Sequence, residues 1–447
     1  MIRFQSPSPD IGGVLTNRRK ETAILKVEGH ARAILVTVFA TLVMLVGEAT
    51  AKGSAYRVIH DFKGSLDGWE PAGVPVAAAN GDLYGVTIGG GTSGLGTVFK
   101  LTAPRTRGGA WEKTILYDFP GGDGGGHPTS LVLGPGGNLY GVDFTQTLFE
   151  LKRPASQNGM WTYTALYTLN QGTQGSAIQG ITLDAKGNIY GATELGGDLS
   201  CGNGYGCGTV FELKRPTKDG GKWRLSVLHA FTGNPDGREP FAGVTLDQEG
   251  NVYGTTLGGG TQGTVYMLSP PAKKGGKWTE TVLYPFNAPD LGTGPGGPVT
   301  FDGSGNMYGT TLFGGDLNCS GGAGCGVVFE LSPQEGGTWT YANLYSFQGG
   351  NDGEEPAGYI AIDSKGSLYS TTKYGGGNQE EYSGIAFRLS PHEQKGGAWT
   401  ETVLHRFKVP TEGGDNSGLI WGKWGDLYGV TYLGGKYDGG TVFELQP

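Results

Sequence analysis

The side chains best suited to chemistry cluster in one recurring stretch of the chain. Asp-Gly turns stand at Asp67, Asp123, Asp236 and Asp352, each shortly before a Pro. The residue preceding that Pro is Glu70, His127, Glu239 and Glu355 in turn. Trp69, Arg238 and Glu354 sit beside three of these, and a later acidic insert adds Glu380 and Glu381. Two carboxyl groups held about 5–10 Å apart across a sugar hydrolyse it. A base such as His127 with a charge-neutralising Arg238 suits a lyase. The aspartates offer hard oxygen ligands, so calcium at Asp67, Asp123, Asp236 and Asp352 is one reading. The plainer reading is a turn device, each Asp bonding nearby backbone amides, with the remaining charges solvated on a rim.

These stretches join the units of a repeat. Gly81-Asp82-Leu83-Tyr84-Gly85 returns six times, with tyrosines at 140, 190, 253, 308, 369 and 428, spaced 56, 50, 63, 55, 61 and 59 residues apart. A period of this length signals a repeat architecture. Within a unit such as 243–286, four short runs rich in β-branched and aromatic residues are bounded by Gly or Pro, the pattern of strands. Each unit is read as four antiparallel strands, A to D, hence one blade of a β-propeller. The seventh unit ends at its C strand, Thr441–Leu445, while Tyr56–Phe62 matches a D strand. The expectation is therefore an all-β, seven-bladed propeller whose N-terminal strand completes the last blade and hides the sheet edges.

Shared residues should hold the units together. The Trp heading strand D (Trp111, Trp161, Trp223, Trp278, Trp339, Trp399) and the repeated Tyr are read as between-blade packing. His60, His229 and His405 occupy a strand D slot filled elsewhere by Tyr, so they read as substitute aromatics. Chemistry is then sought where copies differ. The D–A and B–C loops open on one face of a propeller. There the second unit loses its Gly-rich B–C insert, suggesting a notch, and the third, fifth and seventh units lack the Asp-Gly-x-x-Pro pattern.

Cys201 and Cys207, and Cys319 and Cys325, fall in the same B–C loop of units three and five. Even count and matched spacing favour two local disulfides over a zinc site or a thiol-redox pair. Residues 1–51 carry a basic lead, the uncharged run 33–46 and Ala49-Thr50-Ala51, the pattern of a secretory signal peptide, leaving 52–447 as the propeller. Six basic and four acidic residues lie in 1–51, so the remainder carries a net charge of −10. With no basic run, nucleic acid is not expected as a partner. No second apolar segment follows, so the mature protein is expected to insert in no membrane and to be a secreted, extracellular or periplasmic monomer.

The phrase G-N-L-Y-G-T-T-x-x-G-G…G-T-V-F-E-L, matched closely by Gly250–Leu268 and Gly305–Leu331, resembles the GloVer tandem repeat of exported bacterial proteins. The resemblance spans nearly all of 56–447. It implies a surface or secreted repeat protein, and its motif carries no catalytic residue onto this chain. Members differ in their C-terminal anchors, and here nothing after Pro447 suggests one. The functional expectation is a non-catalytic propeller that recognises a glycan or an envelope protein through the D–A/B–C loop face and needs no cofactor. A secreted polysaccharide lyase or glycoside hydrolase using Glu70, His127, Arg238, Glu239 and Glu355 is the alternative.

Overall fold

A computed structural model describes residues 55–447 apart from 157–158, 219, 260–261, 274, 357, 378–383 and 395. The signal-peptide reading of 1–51 and the candidates Glu380 and Glu381 lie outside the described residues. The described residues form seven antiparallel sheets, each strand bonded to its sequence neighbour in A-B-C-D order. Blade 1, for example, comprises Trp69–Ala77, Leu83–Gly89, Thr97–Thr102 and Glu112–Asp118. Blade 7 closes as expected: Ala55–Asp61 pairs with Thr441–Gln446, with Val58 opposite Phe443. The molecule is a seven-bladed β-propeller.

The repeated motif is explained by cross-strand packing. The second Gly of GNLYG lies opposite an aromatic of strand C, as Gly85 does Phe99 and Gly309 does Phe329. A Cβ on those glycines would meet the ring at 2.5 and 2.4 Å. In six blades glycine leaves room for the ring over the strand; blade 6 has Ser370 opposite Phe387 instead. The strand C ring then meets, edge on, a fully buried Phe from the end of the preceding blade's strand D. Phe119 packs on Phe149, Phe286 on Phe329, Phe347 on Phe387, and Phe407 on Phe443. Across the closure, Phe62 packs on Phe99 at 5.2 Å. Such T-shaped pairs add about 0.5–1.5 kcal/mol each beyond their buried area.

The Trp row is a second belt at the blade interfaces. Trp161 packs edge-on to Tyr84, Trp223 to Tyr140, Trp399 to Tyr308 and Trp111 to Tyr428. The motif tyrosines are buried, and most hand their hydroxyl to a carboxylate, as Tyr253 does to Asp247 and Tyr140 to Glu150. Both disulfides form, Cys201–Cys207 and Cys319–Cys325. Among the described residues no helix is long and apolar enough to cross a membrane.

The inner strands break the symmetry. Strand A has 9, 6 and 8 residues in blades 1 to 3, but only two in each of blades 4 to 6. The axial channel is therefore lined by regular strands on one side and by irregular, Gly-rich backbone on the other.

Candidate functional site

At the entry to each strand A, the chain takes a left-handed turn. A left-handed Gly (Gly68, Gly175, Gly237, Gly292 or Gly353) is followed two residues later by Glu70, Ala177, Glu239, Gly294 or Glu355, and His127 stands likewise after Gly125. All six of these following residues have φ between 54 and 63°. Asp415 holds the same place after Gly413 in blade 7. This conformation costs a non-Gly residue about 1–2 kcal/mol, and hydrogen bonds between blades sustain it. The N–H of Glu239 donates to Cys207 O at 2.9 Å, that of Glu355 to Cys325 O at 3.0 Å and that of Glu70 to Gly439 O at 3.0 Å, each acceptor on the preceding blade. Carbonyls of two of them accept from residues just past strand B of their own blade, Leu257 N on Glu239 O and Lys373 N on Glu355 O. The structure therefore gathers Glu70, His127, Glu239 and Glu355 into one ring around the channel mouth, with each residue on a separate blade. Both disulfides anchor the carbonyls on which two of them hang.

At the entry to blade 3, Ile178 stands where blades 1, 2, 4, 5 and 6 have Pro, and its N–H donates to the Gln146 side-chain oxygen at 3.0 Å. The shortened B–C loop of blade 2 bares Phe144, 54% exposed, against the His127 ring, with centroids 5.9 Å apart. His127 Nδ1 bonds Ile88 O at 2.9 Å, so this nitrogen carries the proton.

Four of the predicted aspartates were candidates for calcium. Asp67 accepts from Lys63 N at 2.9 Å, His60 Nε2 at 3.2 Å and Lys113 Nζ at 2.8 Å. Asp236 accepts from Thr232 N, Thr232 Oγ1 and His229 Nε2 at 3.0, 2.8 and 3.0 Å. Asp352 accepts from Gln348 N at 2.7 Å and Tyr345 OH at 2.6 Å. Asp123 is exposed. Burial alone raises the carboxyl pKa of Asp67 and Asp236, but these bonds outweigh it and hold both below the ordinary range. The turn-device reading therefore describes Asp67, Asp236 and Asp352. The strand D histidines are the partners of these turns rather than simple aromatics, and His405 bonds Glu412 at 2.8 Å in the same way. Among the described residues, the one grouping with metal-ligand proximity is Cys319, Cys325 and Glu354; its sulfurs are spent in a disulfide.

The richest part of the mouth lies between blades 3 and 4. Arg238 and Glu239 stand 3.8 Å apart, and Phe241, 36% exposed, follows them. Facing them is Glu194, which sequence reasoning did not single out. Gln179 Nε2 donates to Glu194 Oε2 at 3.0 Å. Burial pushes the Glu194 carboxyl above its ordinary value; the Gln179 bond offsets part of this and the Glu239 charge adds to it. Gln179 also lines the axial cavity of ≈560 Å³ below, together with Thr129, Val244 and Tyr359. Tyr359 crosses from blade 6, its hydroxyl lying 3.6 Å from where a Cβ on Gly180 or Gly243 would sit. Burial raises its pKa. Trp69, 42% exposed, and Glu70 lie elsewhere on the ring, in blade 1, as Glu354 and Glu355 do in blade 6.

Residues 45–204, 146–320 and 199–443 each match the Gloeobacter/Verrucomicrobia repeat, together covering nearly the whole propeller. The chain belongs to this family. No curated protein matches this Gloeobacter/Verrucomicrobia repeat protein. Among solved structures, a protein described as an oxidoreductase (glucose dehydrogenase) from Thermus thermophilus is 16% identical. The match covers 71% of this chain and 96% of that one at a TM-score of 0.43. A protein described as a gluconolactonase is 12% identical over 88% and 92% of the two chains, TM-score 0.39. A luciferin-regenerating enzyme is 15% identical over 69% and 87%, TM-score 0.39. None of these likenesses lends the repeat protein an activity. Glu194, Gln179, Phe241 and Tyr359 escaped the sequence reading. The usable signal was that Glu194 replaces an apolar residue, Ile88, Leu257 or Leu312, at the same strand B position in other blades.

Proposed function

We propose that this repeat protein is a non-catalytic, exported propeller that binds a glycan at its channel mouth. The observation that carries the reading is the mixed surface between blades 3 and 4: the exposed Phe241 ring beside Glu239, Glu194, Gln179 and Arg238. An aromatic face packs against sugar C–H groups, while a few oriented carboxylates, amides and a guanidinium select hydroxyls. The remaining ring residues, on separate blades, read as further contacts along a polymer. The two disulfides and the exported character of the resemblance support a secreted or periplasmic location.

The test is retardation of the 52–447 chain in gels containing plant and microbial polysaccharides, alongside Glu239→Gln and Phe241→Ala. Retention by at least one polymer, weakened in both variants, is expected. Free migration in every gel, with envelope proteins captured in parallel, would turn the reading to a protein partner. One observation favours a second reading. Glu194, held above its ordinary pKa by burial and by the Glu239 charge, would serve as the acid of a glycosidase with Glu239 as its base. New reducing ends that disappear in Glu194→Gln would establish that activity in place of simple binding.

A further inference from the structure

The C–D loops lie on the face opposite the mouth, and they share charge unevenly. Of the 33 basic residues of the chain, six precede residue 52. Ten of the rest fall in the C–D loops of blades 2 to 4, at 152–160, 214–224 and 270–278, with Asp219 the one acidic residue in these stretches. Elsewhere several cations pair with carboxylates: Arg57 with Glu444, Arg107 with Asp426, Lys100 with Asp82 and Lys113 with Asp67. On this rim Lys214 reaches Glu212 at 3.5 Å, and among the described residues its other cations have no carboxylate partner. The chain beyond residue 51 has a net charge of −10, yet it leaves these cations exposed and uncompensated.

Comparison of the blades shows where these cations enter. Each C–D loop makes the same tight turn: Gly221 N donates to Lys218 O at 3.0 Å, Gly276 N to Lys273 O at 2.9 Å and Gly159 N to Ser156 O at 3.1 Å. The residues flanking it are Thr106 and Ala110, Ser156 and Met160, Gln334 and Thr338, and Gln394 and Ala398 in blades 1, 2, 5 and 6. Blade 3 has Lys218 and Lys222 there, and blade 4 has Lys273 and Lys277. A second variable place follows strand C: Ala103 in blade 1, Arg153 and Arg215 in blades 2 and 3, and Pro270, Pro333 and Pro391 in blades 4 to 6. Blade 3 combines the Arg with both Lys.

The three meet at one cleft. A cavity of ≈550 Å³ between strand D of blade 2 (Thr162–Thr168) and the blade 3 loop is lined by Arg215, Lys218 and Lys222 together with Leu166, Tyr167 and Trp223. Glu150 is the one carboxylate in this lining, and its Oε1 is engaged by Asn138 Nδ2 and Tyr140 OH, both at 2.8 Å. Arg215 is held in place: its backbone N–H donates to Asn188 Oδ1 at 2.9 Å, and its guanidinium lies over the Gly187 turn, 3.1 Å from where a Cβ would sit. Neighbouring grooves have a different balance. In that of ≈1040 Å³ between blades 1 and 2, Lys100 lies 3.9 Å from Asp82, leaving Arg153. In that of ≈1070 Å³ along blades 3 to 5, Asp184, Asp247, Glu249 and Asp302 face Lys186.

We infer that the cleft between blades 2 and 3 is a binding site for a polyuronate, an acidic polysaccharide. Its carboxylates lie against Arg215, Lys218 and Lys222 through charge-assisted bonds, and its ring faces lie on Tyr167 and Trp223. Lys152 and Arg153 on one side and Lys273 and Lys277 on the other carry the positive field along the rim, which favours a chain longer than the cleft. A neutral polymer gains nothing from these cations. Nucleic acid, with about one charge per 1.7 Å of duplex, is repelled by the net negative protein more strongly than a polymer with one charge per sugar. A concave cleft admits a single chain and not a flat anionic bilayer. The site lies away from the mouth and stands independently of the glycan proposed there.

The test is calorimetric titration of the 52–447 chain, without calcium and at low and high salt. The ligands are a galacturonate decamer, a single-stranded thymidine decamer and phosphatidylglycerol vesicles. The expected result is saturable binding of the galacturonate decamer that weakens at high salt. Lys218→Glu/Lys222→Glu changes two exposed loop residues and should leave near-UV circular dichroism unchanged. It should weaken that binding about tenfold or more, roughly 1.4 kcal/mol. Lys273→Glu/Lys277→Glu, outside the cleft, should weaken it less, and Glu239→Gln/Phe241→Ala at the mouth should leave it unchanged. Failure of the galacturonate decamer to saturate, or equal affinity in the Lys218→Glu/Lys222→Glu protein, would overturn the inference. So would an equal loss in the Lys273→Glu/Lys277→Glu protein, or tighter binding of the DNA or the vesicles. Retardation by a neutral polymer that survives Lys218→Glu/Lys222→Glu reports on the mouth, so the proposed function is judged separately.

Discussion

Glu401 gives the sharpest test of how the blades are joined. It lies on strand D of blade 6, Thr400–Arg406, at the place occupied in blade 1 by Lys113. Lys113 bonds Asp67 across the blade interface at 2.8 Å. At the blade 5–6 interface the counterpart of Asp67 is Asp352, so a carboxyl replaces the ammonium. Glu401 Oε1 is buried without a hydrogen-bond partner. Burial first, then the Asp352 charge, with Arg406 only partly opposing, pushes the Glu401 carboxyl from 4.5 up to about 7. The folded state thus holds a proton that the unfolded chain releases above its ordinary carboxylate pKa. The group is neutral to stability below about pH 4.5. It becomes destabilising as pH rises toward 7, and its penalty is constant above that. At about 1.4 kcal/mol per pH unit the ceiling is roughly 3 kcal/mol. Partial solvent contact reduces this to about 1–2 kcal/mol. Glu401→Gln should therefore gain about 1–2 kcal/mol over the native protein at pH 8 relative to the difference at pH 4.5. Glu401→Lys should gain at least as much by copying the Lys113–Asp67 pair. Urea unfolding of all three proteins at both pH values measures this. An equal Glu401→Gln difference at pH 4.5 and pH 8 refutes the reasoning.

Other outcomes follow from the same packing. Gly309→Ala places a methyl 2.4 Å from the Phe329 ring and should destabilise by about 1–3 kcal/mol; a loss under about 0.5 kcal/mol in the same assay would show that the ring moves aside freely. Replacing Cys201 and Cys207 by Ser opens a loop with a sequence separation of 6. It should lower stability by about 2 kcal/mol, read as a shift of the urea midpoint, and it should also weaken any ligand that depends on Glu239, whose N–H hangs on Cys207 O. Deleting Ala55–Asp61 removes the fourth strand of blade 7 and exposes the edge of Thr441–Gln446. Sedimentation should then show association through that edge, and a well-folded monomer would count against closure by this strand.

How much of this could be read without coordinates follows from how local each feature is. The blade grammar is written within contiguous stretches: turn glycines, alternating strands, a Gly facing an aromatic and a Trp heading strand D. Its seven copies therefore revealed blade number, closure and the two disulfides, because each rests on contacts within a unit or on the offset between the two chain ends. The belts of Phe and Trp were legible for the same reason. The aspartate turns were also legible, although their pairing with His60, His229 and Tyr345 seven residues earlier was not noticed. The site was only partly visible. The ring of Glu70, His127, Glu239 and Glu355 shares one sequence slot, and Phe241 follows Glu239 closely in the chain, but Glu194, with Gln179 bonded to it, comes up to Glu239 only because blade 3 packs against the entry to blade 4. Tyr359 reaches Gly180 and Gly243 across the axis from a blade far away in sequence. Such features are set by contacts between units, and a repeat pattern describes what its units share. What their differences build is decided only when the seven sheets close around one axis.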